Sequence, residues 1–285
     1  MIKGIILLIA IIFVLCLLVS AIDCNRFVTV KYEISSDKLT RPCKMVLLSD
    51  LHNKSFGQNN EKLLKKIDSI SPDGILVAGD MLTATKGKDF TPALSLMKQL
   101  SSHYKIYYGM GNHEYRLKLY PEQYEGMYDG YMKGLAEAGI GPLVNENTDL
   151  PEYNLSVCGA EIDRCYYKRF HKQPMNEAYL PKILGQPRKD ACQLLIANNP
   201  AYFEEYAAWG ADVVVSGHVH GGIMKLPVLG GVLSPNLTLF PKYDGGRFTK
   251  GCSTMILSRG LGTHTIPLRI FNPGELIVID FKPER

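Results

Sequence analysis

Five short apolar runs in this chain each break off into a loop of ionisable or amide side chains, and that pattern restricts the fold more than any other feature. Lys44-Met45-Val46-Leu47-Leu48 runs into Ser49-Asp50-Leu51-His52, and Gly74-Ile75-Leu76-Val77-Ala78 into Gly79-Asp80. Lys105-Ile106-Tyr107-Tyr108 runs into Gly109-Met110-Gly111-Asn112-His113-Glu114. Far downstream, Leu194-Leu195-Ile196 leads to Ala197-Asn198-Asn199-Pro200, and Ala211-Asp212-Val213-Val214-Val215 to Ser216-Gly217-His218-Val219-His220-Gly221-Gly222. Short apolar runs of this kind read as buried strands. Between them, Leu63, Leu64, Ile67 and Ile70 form an apolar stripe at helical spacing. Phe90, Leu94 and Met97 form another, with Thr91 as N-cap and Pro92 in the first turn. Ala201 to Trp209 predicts a further helix, begun by Pro200 and stopped by Gly210. The segment Asn25 to Arg41 reads as a lead into the body, and Leu276-Ile277-Val278-Ile279 as a closing strand. Alternating strands and helices predict an α/β fold whose strand ends converge on one crevice.

Composition removes other classes. The 285 residues carry 32 Lys and Arg against 28 Asp and Glu, a formal net charge of +4, with 46% hydrophobic residues. Such a mild charge, spread without blocks, does not predict a nucleic-acid partner. Cys16, Cys24, Cys43, Cys158, Cys165, Cys192 and Cys252 show no CxxC spacing, so neither a disulfide framework nor a zinc knuckle is expected.

Gly4 to Ile22 holds nineteen residues without a charge. As a helix it spans about 28 Å, matching the hydrocarbon core of a bilayer. A cleaved signal peptide competes with this reading, but its apolar region is shorter and ends in a small-x-small site, which Ser20-Ala21-Ile22-Asp23 does not supply. An uncleaved anchor over residues 1–26 is the favoured reading, followed by one body over residues 27–285. The amino terminus is placed inside and the body outside the cytoplasm, on the weak bias of flanking basic residues.

Each loaded loop has an ordinary explanation on its own, since Asp caps helices, Asn suits turns and His packs on surfaces. Five loaded strand ends in one chain make that explanation improbable together. In extended backbone, the i, i+2 spacing of Asp50 with His52 and of His218 with His220 would send each pair to one face. Asp80 offers two carboxylate oxygens to bridge two cations, and Asn112 a neutral carbonyl oxygen. A mixed oxygen and nitrogen set of this kind suits Mn, Fe or Zn.

With these residues the chain resembles the calcineurin-like metallophosphoesterase family. The motifs that carry the resemblance are Asp50-Leu51-His52, Gly79-Asp80, Gly111-Asn112-His113-Glu114 and Gly217-His218-Val219-His220. The tail, with Phe240-Pro241-Lys242-Tyr243, Ser258-Arg259-Gly260-Leu261-Gly262, Pro267-Leu268-Arg269 and Asn272-Pro273, is similar to a membrane-anchored bacterial branch. That branch is similar to YkuE-like phosphoesterases and to UDP-2,3-diacylglucosamine pyrophosphatases. The resemblance implies a four-layer α/β sandwich of two mixed β-sheets flanked by helices, here with one N-terminal transmembrane helix. It implies two divalent metal ions, Mn foremost with Fe or Zn as alternatives. Asp50, His52, Asp80 and His220 would hold the first metal, and Asp80, Asn112 and His218 the second. Asn198 stands where the family places a further His ligand, with Asn199 adjacent as the other candidate.

The function implied is hydrolysis of a phosphomonoester, phosphodiester or pyrophosphate by a hydroxide bridging the two metals. His113 is the candidate general acid for the leaving oxygen, the competing role being to orient a ligand, and Glu114 helps to fix the loop. An anchor raises the prior for a lipid-linked or cell-envelope substrate. Tyr166, Tyr167, Phe170 and the segment Ile223 to Leu239 offer apolar side chains to flank an acyl chain, and Arg164, Lys168 and Arg169 offer charge to a phosphate. The alternative from another class is a membrane-tethered metal-binding scaffold with weak or no hydrolase activity.

Overall fold

The apolar runs fold into strands that pair in two sheets. The computed structural model describes residues 2–168, 172–222, 224–226, 230–232, 239–263 and 267–284. The chain opens with helix α1 (Ile2–Asp23), β1 (Phe27–Ser36) and β2 (Cys43–Leu48). Next come α2 (Glu61–Ile70), β3 (Gly74–Ala78), α3 (Thr91–Ser101), β4 (Ile106–Gly109), α4 (Asn112–Leu119), α5 (Met127–Glu137) and β5 (Pro142–Leu143). The second half supplies β6 (Glu146–Leu150), β7 (Leu155–Ala160), α6 (Tyr179–Leu184), β8 (Cys192–Ala197), α7 (Phe203–Trp209) and β9 (Val213–Ser216). Two short strands, β10 (Lys225–Leu226) and β11 (Gly230–Gly231), precede β12 (Gly246–Lys250), β13 (Ser253–Leu257) and β14 (Gly274–Pro283).

One sheet has the order β1-β14-β2-β3-β4-β5 and the other β12-β13-β9-β8-β7-β6. In the first, β2 to β5 run parallel, and β14 joins β2 antiparallel. In the second, β13, β9, β8 and β7 run parallel between antiparallel edges β12 and β6. Both sheets are therefore mixed, as expected.

Strand pleating divides the apolar residues between separate cores. Met45 and Leu47 of β2 face the other sheet, where Leu194, Ile196, Val213 and Val215 meet them. Val46 and Leu48 face the opposite way, onto Leu63 and Ile67 of α2 and Leu96 and Met97 of α3. Behind the second sheet, Leu195 and Val214 pack on Phe203, Tyr206 and Trp209 of α7. The result is four layers, helix, sheet, sheet and helix. Each fully buried aliphatic side chain contributes about 1.5–3 kcal/mol to their cohesion.

Two expectations need correction. The lead Asn25 to Arg41 contains β1, a ten-residue strand paired in parallel with β14 from Phe27 opposite Gly274 to Ser36 opposite Pro283. Thr91 does not cap α3 but is its first residue, and its amide donates to Asp89 Oδ1 at 2.8 Å. Asp outcompetes Thr here because its carboxylate reaches an amide two residues on without bending the helix start. All seven cysteines are free, with Cys43, Cys158 and Cys192 buried.

Helix α1 is long and apolar enough to cross a membrane. Its side chains are almost all exposed, except in the last turn, where Ser20 and Asp23 are buried. Ser20 Oγ accepts from the Arg269 amide at 3.1 Å, and Asp23 Oδ2 from the Asn272 amide at 2.9 Å.

Candidate metal centre

The parallel strands β2, β3, β8 and β9 and strand β4 end at one edge, so their following loops meet. Backbone hydrogen bonds stitch these loops together. Asp50 donates to Gly79 O at 3.0 Å, His52 to Asp80 O at 3.2 Å, and Gly217 to Asn198 O at 3.1 Å. Leu261 and Gly262, after β13, donate to Ser49 O at 3.0 Å and Asp50 O at 2.7 Å.

The ligand-type residues leave their strands through left-handed turns. Asp50 has φ 51°, His52 48°, Asp80 55°, His218 73° and His220 54°. Non-glycine residues rarely adopt this region, and such conformations collect at functional sites where the surroundings enforce them. This corrects the reading from strand periodicity. Each i, i+2 pair does share a site, but through tight turns and not through the pleat of extended backbone. Two glycines permit the close approach. A Cβ on Gly217 would collide with Ser49 Oγ and Asp50 Oδ2, and one on Gly111 with the Asp80 amide and Oδ1.

All seven residues singled out as ligands come together. Ligand atoms of Asp50, His52 and His220 lie within 4.8 Å of one another, as do those of His52, Asp80 and His113. His52 Nε2 is 3.1 Å from His220 Nε2, and His220 Nε2 is 3.7 Å from Asp50 Oδ1. On the other side of Asp80, its Oδ2 is 3.9 Å from His218 Nδ1. One end of the Asn112 amide faces Asp80 Oδ2 at 3.0 Å and His218 Nδ1 at 2.7 Å. With nitrogen at that end Asn112 donates to both neighbours, and with oxygen there its lone pairs join theirs around a point where a cation would be stabilised.

Asn198 donates from Nδ2 to Ala78 O at 2.8 Å, while its buried Oδ1 has no hydrogen-bond partner among the described residues. An orphaned buried carbonyl oxygen is costly unless a cation or water meets it. Asn198 also lies within hydrogen-bonding reach of the Asp80 carboxylate. Asn199 instead serves structure, accepting from the Ala201 amide at 3.1 Å and donating to Tyr166 O at 2.9 Å.

Electrostatics points the same way. Asp50 and Asp80 are fully buried, and among the described residues neither has a Lys or Arg salt-bridge partner. Burial raises both carboxyl groups well above the usual range, and the charge of Asp80 raises Asp50 further. Adjacent buried carboxylates whose desolvation and mutual repulsion outweigh their hydrogen bonds and neighbouring charges are unstable as anions, and bound cations would relieve them. The donor set therefore fits a centre for divalent metal.

Several further residues support the ligands. Glu114 accepts from the amides of Asp80 and Met81 at 2.9 Å each, from Gly111 at 3.1 Å and from Tyr108 Oη at 2.9 Å. It fixes the Asp80 and Asn112 loops together, and burial and the charge of Asp80 push its carboxyl up to about 7. Ser49 Oγ donates to Asp50 Oδ2, and Thr83 Oγ1 lies 3.2 Å from His52 Nδ1. Asn272 donates from Nδ2 to His220 O and Gly222 O at 2.7 Å each. The buried Arg269 guanidinium donates to the carbonyls of Arg259 at 2.9 Å and Gly260 at 3.0 Å, and to that of Gly262. The last turn of α1 is thereby joined to the loops of the centre through the 269–272 segment.

The centre opens into a cavity of about 790 Å³. His52, Asn112, His113 and His218 line it, and so do four cations, Lys88, Arg116, Arg164 and Lys168. The Ala84 amide donates to His113 Nδ1 at 2.8 Å. An accepting Nδ1 leaves the ring proton on Nε2. Tyr167 packs edge-on against His218, with ring centroids 5.3 Å apart. Arg169, Phe170 and most of the Ile223 to Leu239 segment lie outside the described residues.

The model of the family described as calcineurin-like phosphoesterase matches residues 43–222. The chain belongs to that family. It is 27% identical over 257 residues to an uncharacterized metallophosphoesterase of Campylobacter jejuni, an alignment covering 89% of this chain and 63% of that relative. The chain thus spans less than two thirds of that longer protein. It is 24% identical over 227 residues to phosphodiesterase YaeI of Escherichia coli, covering 78% of this chain and 76% of the relative. A bovine protein named as a transmembrane protein with metallophosphoesterase domain is 25% identical over 245 residues, covering 82% of this chain and 51% of its own. Family and relatives agree with the expected class, a hydrolase of phosphoric esters.

Proposed function

We propose that this chain is a membrane-anchored phosphoesterase that hydrolyses a phosphoester or pyrophosphate bond at a two-metal centre, in the membrane-anchored bacterial branch described above. Residues 1–26 anchor the body, residues 27–285 carry the chemistry, and the body lies outside the cytoplasm. The observation that carries this reading is the pair of adjacent buried carboxylates, Asp50 and Asp80, which have no Lys or Arg salt-bridge partner among the described residues and are ringed by imidazoles and by the amides of Asn112 and Asn198.

Asp50, His52, Asp80 and His220 would hold one metal, and Asp80, Asn112, His218 and Asn198 the other. Mn suits this oxygen-rich set, with Fe or Zn as alternatives. When bound, two such cations neutralise phosphoryl charge and bring a water to a reactive ionisation state near neutral pH. The protein supplies the remainder. Lys88, Arg116, Arg164 and Lys168 draw an anionic substrate into the cavity and orient it. His113 serves the leaving oxygen from Nε2, which carries the ring proton while Ala84 occupies Nδ1. Glu114 holds the Asp80 and Asn112 loops at fixed separation. A lipid-linked phosphate is the favoured substrate, because Pro267 lines the cavity and accepts from Cys24 Sγ at 3.5 Å, directly beyond the end of α1.

The test is hydrolysis of an aryl phosphodiester and an aryl phosphomonoester by the full chain in detergent, with Mn and with chelator. Turnover should require metal and fall by orders of magnitude in His218→Ala. A folded His218→Ala enzyme with normal turnover would remove the two-metal reading, and metal binding without any turnover would favour the scaffold. Asn198→His probes the second metal. An imidazole can keep the Ala78 bond with one nitrogen and present the other, so calorimetry should show tighter metal binding, and unchanged affinity would exclude position 198 from the ligand set.

A further inference from the structure

Outside α1, the three most exposed large apolar side chains among the described residues are Leu239 at 64%, Phe240 at 58% and Phe271 at 55%. They belong to one part of the molecule. The Phe240 amide donates to Val232 O at 3.0 Å, the Val232 amide to Met224 O at 2.9 Å, and Met224 bridges to Ile270. Successive neighbours in such an array are about 4.8 Å apart, which places Leu239 and Phe240 roughly 15 Å from Phe271.

This patch adjoins the end of the apolar helix. The residues flanking Phe271 are bonded to the last turn of α1, Arg269 to Ser20 and Asn272 to Asp23. The helix is bare up to that turn, so Phe271 stands at the level where a spanning helix passes from hydrocarbon to headgroups. Lys54 lies at the same level, its Nζ 2.7 Å from Asn25 Oδ1, and its charge complements anionic headgroups. Phe240 and Phe271 both hold left-handed backbone, with φ 47° and 54°, a conformation that bulky residues avoid unless the fold imposes it. The fold thus holds two aromatic rings outward where water alone gives them no gain, and aromatic side chains suit the bilayer interface.

We propose that Leu239, Phe240 and Phe271 insert among the lipid headgroups beside α1, so that the body lies on the bilayer with the Pro267 wall of its cavity at the lipid surface. This rests on the membrane-anchor reading above. It turns α1 from a flexible tether into one of two contacts that fix the body's orientation.

The experiment reconstitutes the full chain in two sets of phosphatidylcholine and phosphatidylglycerol vesicles, one with acyl chains brominated close to the headgroups and one with acyl chains brominated near their ends. Single tryptophans are introduced by Phe13→Trp, Phe240→Trp and Phe271→Trp, with the buried Trp209 as constant background. Bromine quenches only tryptophans at its depth. Relative to vesicles without bromine, Phe13→Trp should lose most of its added emission to bromine near the chain ends, and Phe240→Trp and Phe271→Trp most of theirs to bromine near the headgroups. Quenching of Phe13→Trp alone would overturn the proposal while leaving the anchor intact, and would assign the patch to a second chain or a protein partner. An unquenched Phe13→Trp would instead remove the anchor reading on which the proposal rests. Leu239→Trp supplies a second body position if either phenylalanine variant fails to fold.

Discussion

Asp80→Asn should destroy turnover and at the same time make the metal-stripped protein more stable. The substitution preserves shape while removing the charge that both halves of the centre share. Asp80 lies within ligand distance of His52 and His113 on one side and of Asn112 and His218 on the other. Without its charge neither cation keeps a full ligand set, and kcat/KM should fall on the order of a thousandfold, equivalent to about 4 kcal/mol of barrier. In the stripped protein the same carboxylate is a liability, being buried and repelled by Asp50. Removing it should raise unfolding stability by about 2 kcal/mol and Tm by several degrees, while abolishing the rise in Tm that added Mn produces in wild type. A residue with a merely structural role would lower stability and activity together. Calorimetric melts with and without metal, beside kinetics, separate the two cases, and a lower Tm for stripped Asp80→Asn would contradict the assignment.

The stripped protein should also lose stability as pH rises from about 4 to about 7, opposite to the trend usual for carboxylates in ion pairs. Asp50, Asp80 and Glu114 all have folded-state values raised above the unfolded range, with Glu114 at about 7. A raised carboxyl holds its proton in the folded state while the unfolded chain has released it. Its stabilising contribution is full below the unfolded value of about 4 and is lost as pH passes through the folded value. For Glu114 alone this amounts to about 3 kcal/mol. Metal reverses the trend, since cations bind the ionised carboxylates and displace their protons. Melting curves from about pH 5 to about pH 8 should therefore show a falling Tm with chelator and a widening gap once Mn is added. A stripped protein that gains stability over this range would contradict the reading of the two aspartates as carboxylates raised by burial.

Much of this was legible in the sequence, because buried strands write themselves as apolar runs and the ligand-type residues follow them directly. Lys44 to Leu48 and Gly74 to Ala78 needed no tertiary information. Strand β1 was missed although Val28, Val30, Tyr32 and Ile34 alternate, because its partner β14 lies at the far end of the chain and only pairing there makes it a strand. The left-handed turns at Asp50, His52, His218 and His220 were also hidden. Periodicity assumes that a strand continues, whereas here inter-loop hydrogen bonds bend it at once. Arg269 and Asn272 act on the centre through backbone carbonyls far away in sequence, which no local pattern reports. Asn198 was legible only as a departure from a motif, and its orphaned oxygen gives that departure physical content.

The central claim is that the buried cluster around Asp80 is a two-metal centre. Its most direct test is calorimetric titration of the chelator-stripped full chain with Mn, with metal content measured after dialysis. Two equivalents per chain, reduced in both Asp80→Asn and His218→Ala, is the predicted result. No saturable binding, or binding that neither substitution weakens, would contradict it.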